Sequence, residues 1–150
     1  MTALIVTSAQ IVDAARAWIG TPYLHQASLH GAGCDCLGLL RGVWRDCLGA
    51  EPAPVPAYTA DWSEASQRED LFAAACQWLI PKDLTHEAAG DVLLFRMRIG
   101  AVAKHLGIAG ATGAQASFIH AYTGHGVVET ALTAPWRRKI AARFCFPEGI

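Results

Sequence analysis

Apolar residues recur every three or four positions through the first half of the chain and every second position through the last third. Ile11, Ala14, Ala15 and Trp18 fall on one helical face. Ser8 is placed to cap that helix, and Gly20 with Pro22 to stop it. Residues 21–34 read as a loop of small residues. A second stripe of Cys36, Leu40, Val43, Trp44 and Cys47 predicts a helix that begins near Cys36 and ends at Gly49. The stretch "AEPAPVPAY" has three prolines in five residues and predicts an extended surface segment. Ser63 is the expected cap of a third helix, with Leu71, Phe72, Ala75, Cys76 and Leu79 as its apolar face and Pro81 as its end. After Gly90 the period becomes two. Residues 91–95, 102–109, 115–122, 126–130 and 140–146 predict five strands. Helices first and strands afterwards imply one α+β domain over residues 1–150, its N-terminal helices packed on one side of a five-stranded antiparallel sheet.

Composition narrows the function classes. Hydrophobic residues make up 53% and charged residues 17%, which excludes a disordered chain. Twelve basic against 13 acidic residues give a net charge of −1, with no electrostatic footprint for nucleic acid. Arg137, Arg138, Lys139 and Arg143 form the one basic cluster, expected to be a solvated face. No apolar run is long enough for a membrane span. The first 18 residues lack a basic leader, so the chain is expected to be made in the cytoplasm without an ordinary export signal. The five cysteines are odd in number and scattered, so most are expected to be reduced thiols.

The segment "HGAGCDCLGLLRGVW" at 30–44 carries the candidate chemistry. A thiol at a helix N-terminus sees about half a positive charge and several unpaired N–H groups, which lower its pKa and can bind an oxyanion. Cys36 is therefore the candidate nucleophile, with Gly33 and Gly38 leaving room for a substrate backbone. Cys47, Cys76 and Cys145 lie in apolar periodic segments and read as structural. A base is still required. A hairpin turn at Thr112–Gly113 would put His105 directly opposite His120, on one face of two strands. His105 then takes the thiol proton and His120 orients its ring, with a thiolate–imidazolium pair expected at rest. His25, His30, His86 and His125 lie in loops, His125 being the one placed to reach substrate. A Cys₂His₂ zinc site from Cys34, Cys36, His105 and His120 competes, but C-x-C is a poor clamp, so no metal and no cofactor are expected. A Cys34–Cys36 disulfide would close a short, strained ring.

"GTPYLHQASLHGAGCDCLGLL", "AAGDVLLF", "KHLGIA" and "FIHA" together resemble the NlpC family of cell-wall cysteine peptidases, in order and spacing from residue 10 to about 146. The resemblance implies a stripped-down papain-like fold and cleavage of peptidoglycan stem peptides, typically between γ-D-glutamate and a diamino acid. It makes Cys36 the nucleophile, His105 the base and His120 the orienter. It places Tyr23 beside the nucleophile, as an oxyanion or substrate contact. It matches Asp35 to a carboxylate that could bind a stem peptide's amino group, and Asp91 to a structural residue opening the first strand. Leu37 stands where the family usually has serine, and "HQASLHGAG" replaces its paired glycines. The loop 24–32 with Tyr58 and Trp62 would line the groove. Small members of this kind resemble those of phage tails and gene transfer agents, which implies tail or baseplate proteins as partners and action at a target cell wall. Two other readings share these residues: a structural tail or hub component with little turnover, and an acyl-transfer enzyme acting on another amide or thioester.

Overall fold

The computed structural model describes residues 6–55, 58 and 67–147. The expected cap Ser63 and the groove residue Trp62 lie outside the described residues. Helix α1 spans Ser8–Ala17, and Thr7, not Ser8, is its cap. The Thr7 hydroxyl accepts from the Gln10 amide at 3.1 Å, and the Gln10 side chain accepts from the Thr7 amide at 2.9 Å. Only the pair spaced Thr-x-x-Gln can satisfy two amides reciprocally; Ser8 has Ile11 three residues on. The loop after α1 contains a two-residue hairpin, β1 (Ser28–Leu29) against β2 (Gly33–Cys34). Helix α2 runs over Cys36–Leu48 and ends at Gly49, whose φ of 95° favours glycine.

Helix α3 covers Asp70–Trp78 and buries Leu71 and Ala75, whereas Cys76 is exposed. Pro81 does not simply end it. It lies in a short strand, β3 (Ile80–Lys82), at one edge of the sheet, where a missing N–H is tolerated. The remaining strands are β4 (Val92–Phe95), β5 (His105–Ala109), β6 (Ser117–Tyr122), β7 (Gly126–Ala131) and β8 (Ile140–Cys145). The sheet therefore has six strands, not the expected five, in the order β3-β8-β4-β5-β6-β7, every neighbour antiparallel.

The two sheet faces are covered differently. Leu94, Leu106, Ile108 and Ile119 meet Trp18, Leu39 and Val43 of the helices on the front. Leu93, Phe95, Phe118 and Leu132 form a second cluster on the rear. A short helix, α4 (Ala134–Arg138), not foreseen in the strand pattern, lays Trp136 on that rear cluster. The helices are thus not all on one side. The front packing is close: a Cβ on Gly42 would lie 2.0 Å from the Trp18 ring. Trp18 also donates to Asp46 of α2 at 3.0 Å.

Arg143 departs from the expected solvated face. It is buried in β8 and donates to Asp91 at 2.8 Å, while Lys82 of β3 meets the same carboxylate at 2.8 Å and 2.9 Å. The amide of Ala88 is a third donor and makes the fourth hydrogen bond, at 3.1 Å. Asp91 thereby ties β3, β8 and the start of β4 together, the structural role expected for it. No helix among the described residues is long and apolar enough to cross a membrane.

Candidate active site

Cys36 is the first residue of α2 and Asp35 is its N-cap. The Asp35 carboxylate, 2% exposed, accepts from the Gly38 amide at 2.7 Å, the Gln26 amide at 2.7 Å and the Tyr58 hydroxyl. His25 Nδ1 lies 3.7 Å from the same group. Asp35 is thus the hub that pins the loop before α2 onto the helix start. Gly38 serves the same junction: a Cβ there would lie 1.8 Å from the Ala27 carbonyl oxygen. At Gly33 a Cβ would lie 2.8 Å from the Leu24 side chain. Both glycines make room for this chain's own loop, not for the substrate backbone expected from the sequence.

The Cys36 side chain is buried at the floor of a cleft of about 190 Å³. Tyr23, Asp35, Tyr58, Lys104, His105 and Tyr122 share its lining. Backbone hydrogen bonds from Leu106, Leu37 and Cys36 itself point at the sulfur. Since Leu106 follows His105 on β5, the sulfur abuts the strand that carries the first histidine. A larger apolar cavity of about 630 Å³ lies between α2, α3 and the sheet, lined by Leu37, Leu40, Trp44 and Leu71 among others. Among the described residues no cysteine, serine or threonine lines it; Tyr58 borders both spaces.

His105 and His120 are not directly opposed. β5 pairs with β6 as Ile108↔Ile119 and Ala109↔Phe118, two residues away from the register expected from a Thr112–Gly113 turn. The turn is longer and holds a 3₁₀ segment at Gly113–Gln115. A shift of two preserves the face, so the histidines are diagonal neighbours and still reach each other. His105 Nε2 lies 2.7 Å from His120 Nδ1, and His120 Nε2 lies 2.8 Å from the Thr130 hydroxyl. Thr130, on β7, was missed in the sequence; nothing but the fold brings a threonine ten residues on to the second nitrogen.

Burial sets the charge state of these groups. His105 is pushed down to about 3, by desolvation first and then by His120. His120 is pushed down to about 4, by desolvation and then by His125. Cys36 is pushed up to about 12, chiefly by desolvation and then by the Asp35 charge, with the backbone amides pulling the other way. At rest the site therefore holds a neutral thiol and two neutral imidazoles. Both directions run against the lowered thiol and resting ion pair expected from the sequence: losing water around Cys36 opposes the helix-end field. Tyr23 is also raised, by burial, and its oxygen bonds the Thr123 side chain.

Tyr23 lines the cleft and bridges to Cys34 by its backbone. His25 stands at the rim, edge-on to Tyr58. His125 stacks on Tyr122, with no place in the cleft lining. His30 packs edge-on to Trp18. All five cysteines are free thiols, and among the described residues no three His, Cys, Asp or Glu side chains gather as a metal site would require.

No family model and no curated protein matches the sequence. Solved structures do match. An NlpC/P60 family protein from Bacillus cereus superposes with a TM-score of 0.63 at 17% identity, over 93% of this chain and 40% of that one. The NlpC/p60 domain of the peptidoglycan hydrolase SagA superposes with a TM-score of 0.59 at 25% identity, over 95% of this chain and 99% of the domain. The chain has the NlpC/P60 fold. A Trichomonas vaginalis protein, NlpC1, shares that fold with a TM-score of 0.61 at 20% identity, over 93% of this chain and 44% of its own length. The chain thus covers nearly all of the SagA domain but less than half of the Bacillus cereus and Trichomonas vaginalis proteins.

Proposed function

We propose that this protein is a peptidoglycan-cleaving cysteine peptidase in which Cys36, His105 and His120 act together, cutting a γ-D-glutamyl–diamino acid bond. The observation that carries the reading is that His105, which shares the lining of the cleft with Cys36, starts a hydrogen-bonded line running behind it through His120 to Thr130. The likeness to the SagA domain supports a cell-wall substrate.

The line has one consistent tautomer set. His105 Nε2 is engaged by His120, so Nδ1 is the nitrogen left for the cleft. To accept a proton there, His105 must carry its own proton on Nε2 and donate it to His120 Nδ1. His120 then donates from Nε2 to the Thr130 hydroxyl. His120 fixes the base in that form, as a third member does in triad logic.

Because the resting groups are neutral, His105 removes the Cys36 proton as sulfur attacks the substrate carbonyl. Substrate entry supplies the carbonyl and its developing negative charge, which the buried imidazolium then faces. The oxyanion falls near the amides of Cys36 and Leu37 at the α2 start, with the Tyr23 hydroxyl on the opposite wall. His105 returns the proton to the departing amine, and water resolves the thioester by the same base. Asp35 holds the nucleophile in place through the cap, and its remaining charge suits an amino group of a stem peptide. Lys104, beside His105, suits the free carboxylate that a γ-linked glutamate carries.

The direct test is digestion of sacculi of the diaminopimelate type by the wild type and by Cys36→Ala, with fragments identified by mass spectrometry. Cys36-dependent fragments ending at D-glutamate are expected; no cleavage by folded wild type would overturn the reading. Carriage to the wall by a phage-like tail rests on the resemblance to small tail-module members alone. Absence of the protein from purified particles of the producing strain would remove it.

A further inference from the structure

Trp136 belongs to the one helix the strand pattern did not foretell, on the sheet face away from α1 and α2. Its ring centre lies 6.1 Å from that of His105 and 5.4 Å from that of His120. It also meets Phe95 at 5.4 Å, Phe118 at 5.0 Å and Tyr122 at 5.8 Å. Phe118 lies 4.2 Å from His120, and Tyr122 stacks on the same imidazole at 5.2 Å. The histidine pair is therefore enclosed by four aromatic rings, and Trp136 is the one that touches all the others. It has no place in the cleft lining. The short helix is anchored at both ends: Leu132 donates to the Ala116 carbonyl at 2.9 Å, and Arg96 donates to the Lys139 carbonyl at 2.8 Å.

We propose that Trp136 is a positioning residue: from the rear of the sheet it keeps water off the His105–His120 pair and holds both rings in the orientation that joins His105 Nε2 to His120 Nδ1. This rests on the reading of His105 as the base. An imidazole pair open to water would rotate, exchange tautomers and protonate near neutrality. The aromatic box removes water without adding a competing donor or acceptor, apart from the Tyr122 hydroxyl and the Trp136 indole N–H.

The groups around the pair are Cys36 on α2, Lys104 beside β5 and Tyr122 on β6, which share the cleft lining with His105, and His125 in the turn after β6, which acts on His120. The Lys139 ammonium sits 5.2 Å over the Trp136 ring. Burial opposes protonation of both histidines first, with His120 adding to it at His105 and His125 at His120. Opening the rear to water would therefore act mainly by restoring hydration to the rings.

The test uses the full chain with histidine-selective ¹⁵N labelling and long-range ¹H–¹⁵N spectra, a readout that needs no substrate. In wild type at pH 5, His105 and His120 are expected each in a single neutral form with the proton on Nε2. In Trp136→Ala their midpoints should rise by about one pH unit or more, with tautomer averaging; Trp136→Phe should restore the wild-type pattern in large part. On sacculi, Trp136→Ala should lower kcat about tenfold with KM unchanged, and the acid limb of the kcat profile should move up in pH. Wild-type histidine spectra in a folded Trp136→Ala would overturn the proposal. If that variant does not fold, Trp136→Leu takes its place with the same expectation. Should both fail to fold while Trp136→Phe folds, Trp136 is a structural residue only and the proposal falls. No turnover by wild type would count against the peptidase reading, while the spectra still decide the role of Trp136.

Discussion

At the scale of single residues, the site is governed by dehydration. Cys36 sits where a helix end should favour a thiolate, yet burial pushes it up to about 12. Alkylation by iodoacetamide at pH 6 is therefore expected to label the exposed Cys76 well before Cys36, as peptide mapping would show. Preferential labelling of Cys36 would mean that a resting ion pair exists after all. His105→Ala should reduce turnover of sacculi by ~10³-fold or more, close to the loss in Cys36→Ala, since nucleophile and base act as a unit. Thr130→Val removes the acceptor for His120 Nε2 and should cost ~10-fold or less, with the fold intact by circular dichroism, since Thr130 sits two steps from the reacting atoms. The candidates Cys36, His105 and His120 were legible from residue type and strand parity, and the structure holds the two histidines 2.7 Å apart. Thr130 was not, because a threonine on an alternating strand is ordinary until its neighbours are known.

At the scale of elements, close backbone approach explains residues that chemistry does not. Gly42 lies where α2 crosses α1, against the Trp18 ring. Alanine would favour the helix by about 1 kcal/mol. Its Cβ, however, would lie 2.0 Å from a buried indole carbon, and overpacking costs about 1–3 kcal/mol or more. Gly42→Ala should therefore destabilise on balance, read as a lower urea midpoint with an unchanged slope. Helices α1 and α2 and the five longer strands were readable because each keeps its period over several residues. β3 and α4 were not: three residues containing a proline, and five containing Ala-Pro, carry no period. The same limit applies to the β5–β6 turn. Parity placed both histidines on one face, and the turn's own 3₁₀ segment then set the two-residue offset.

At the scale of the whole molecule, buried charges set the conditions under which the fold survives. Asp91 joins Lys82 and Arg143 across three strands, away from the cleft. Asp91→Ala leaves the buried Arg143 facing Glu87 at 3.8 Å in place of its 2.8 Å partner and should cost about 3 kcal/mol of stability; thermal unfolding would show it. His105 and His120 give the pH dependence. Both have folded-state values depressed below 6.5, so the unfolded chain binds more protons than the native one at mildly acid pH. Their contribution is fully present above about pH 6.5 and is lost as pH falls toward 3–4, at a slope on the order of 1 kcal/mol per pH unit for each group. Denaturant titrations from pH 7 to pH 4 should show that loss. The variant His105→Phe/His120→Phe should flatten the slope.

The amino-acid sequence by itself determined which of the longer segments are helix and strand, and that His105 and His120 share a sheet face. Those follow from local periods and from caps, whose causes lie within a few residues of one another. Tertiary structure decided the exact register of His105 on His120, the third link at Thr130, the aromatic enclosure by Trp136, and the charge states of Cys36 and both histidines. Each depends on how much water distant segments exclude from one point, and exclusion of water is a property of packed surfaces, not of any single stretch of chain.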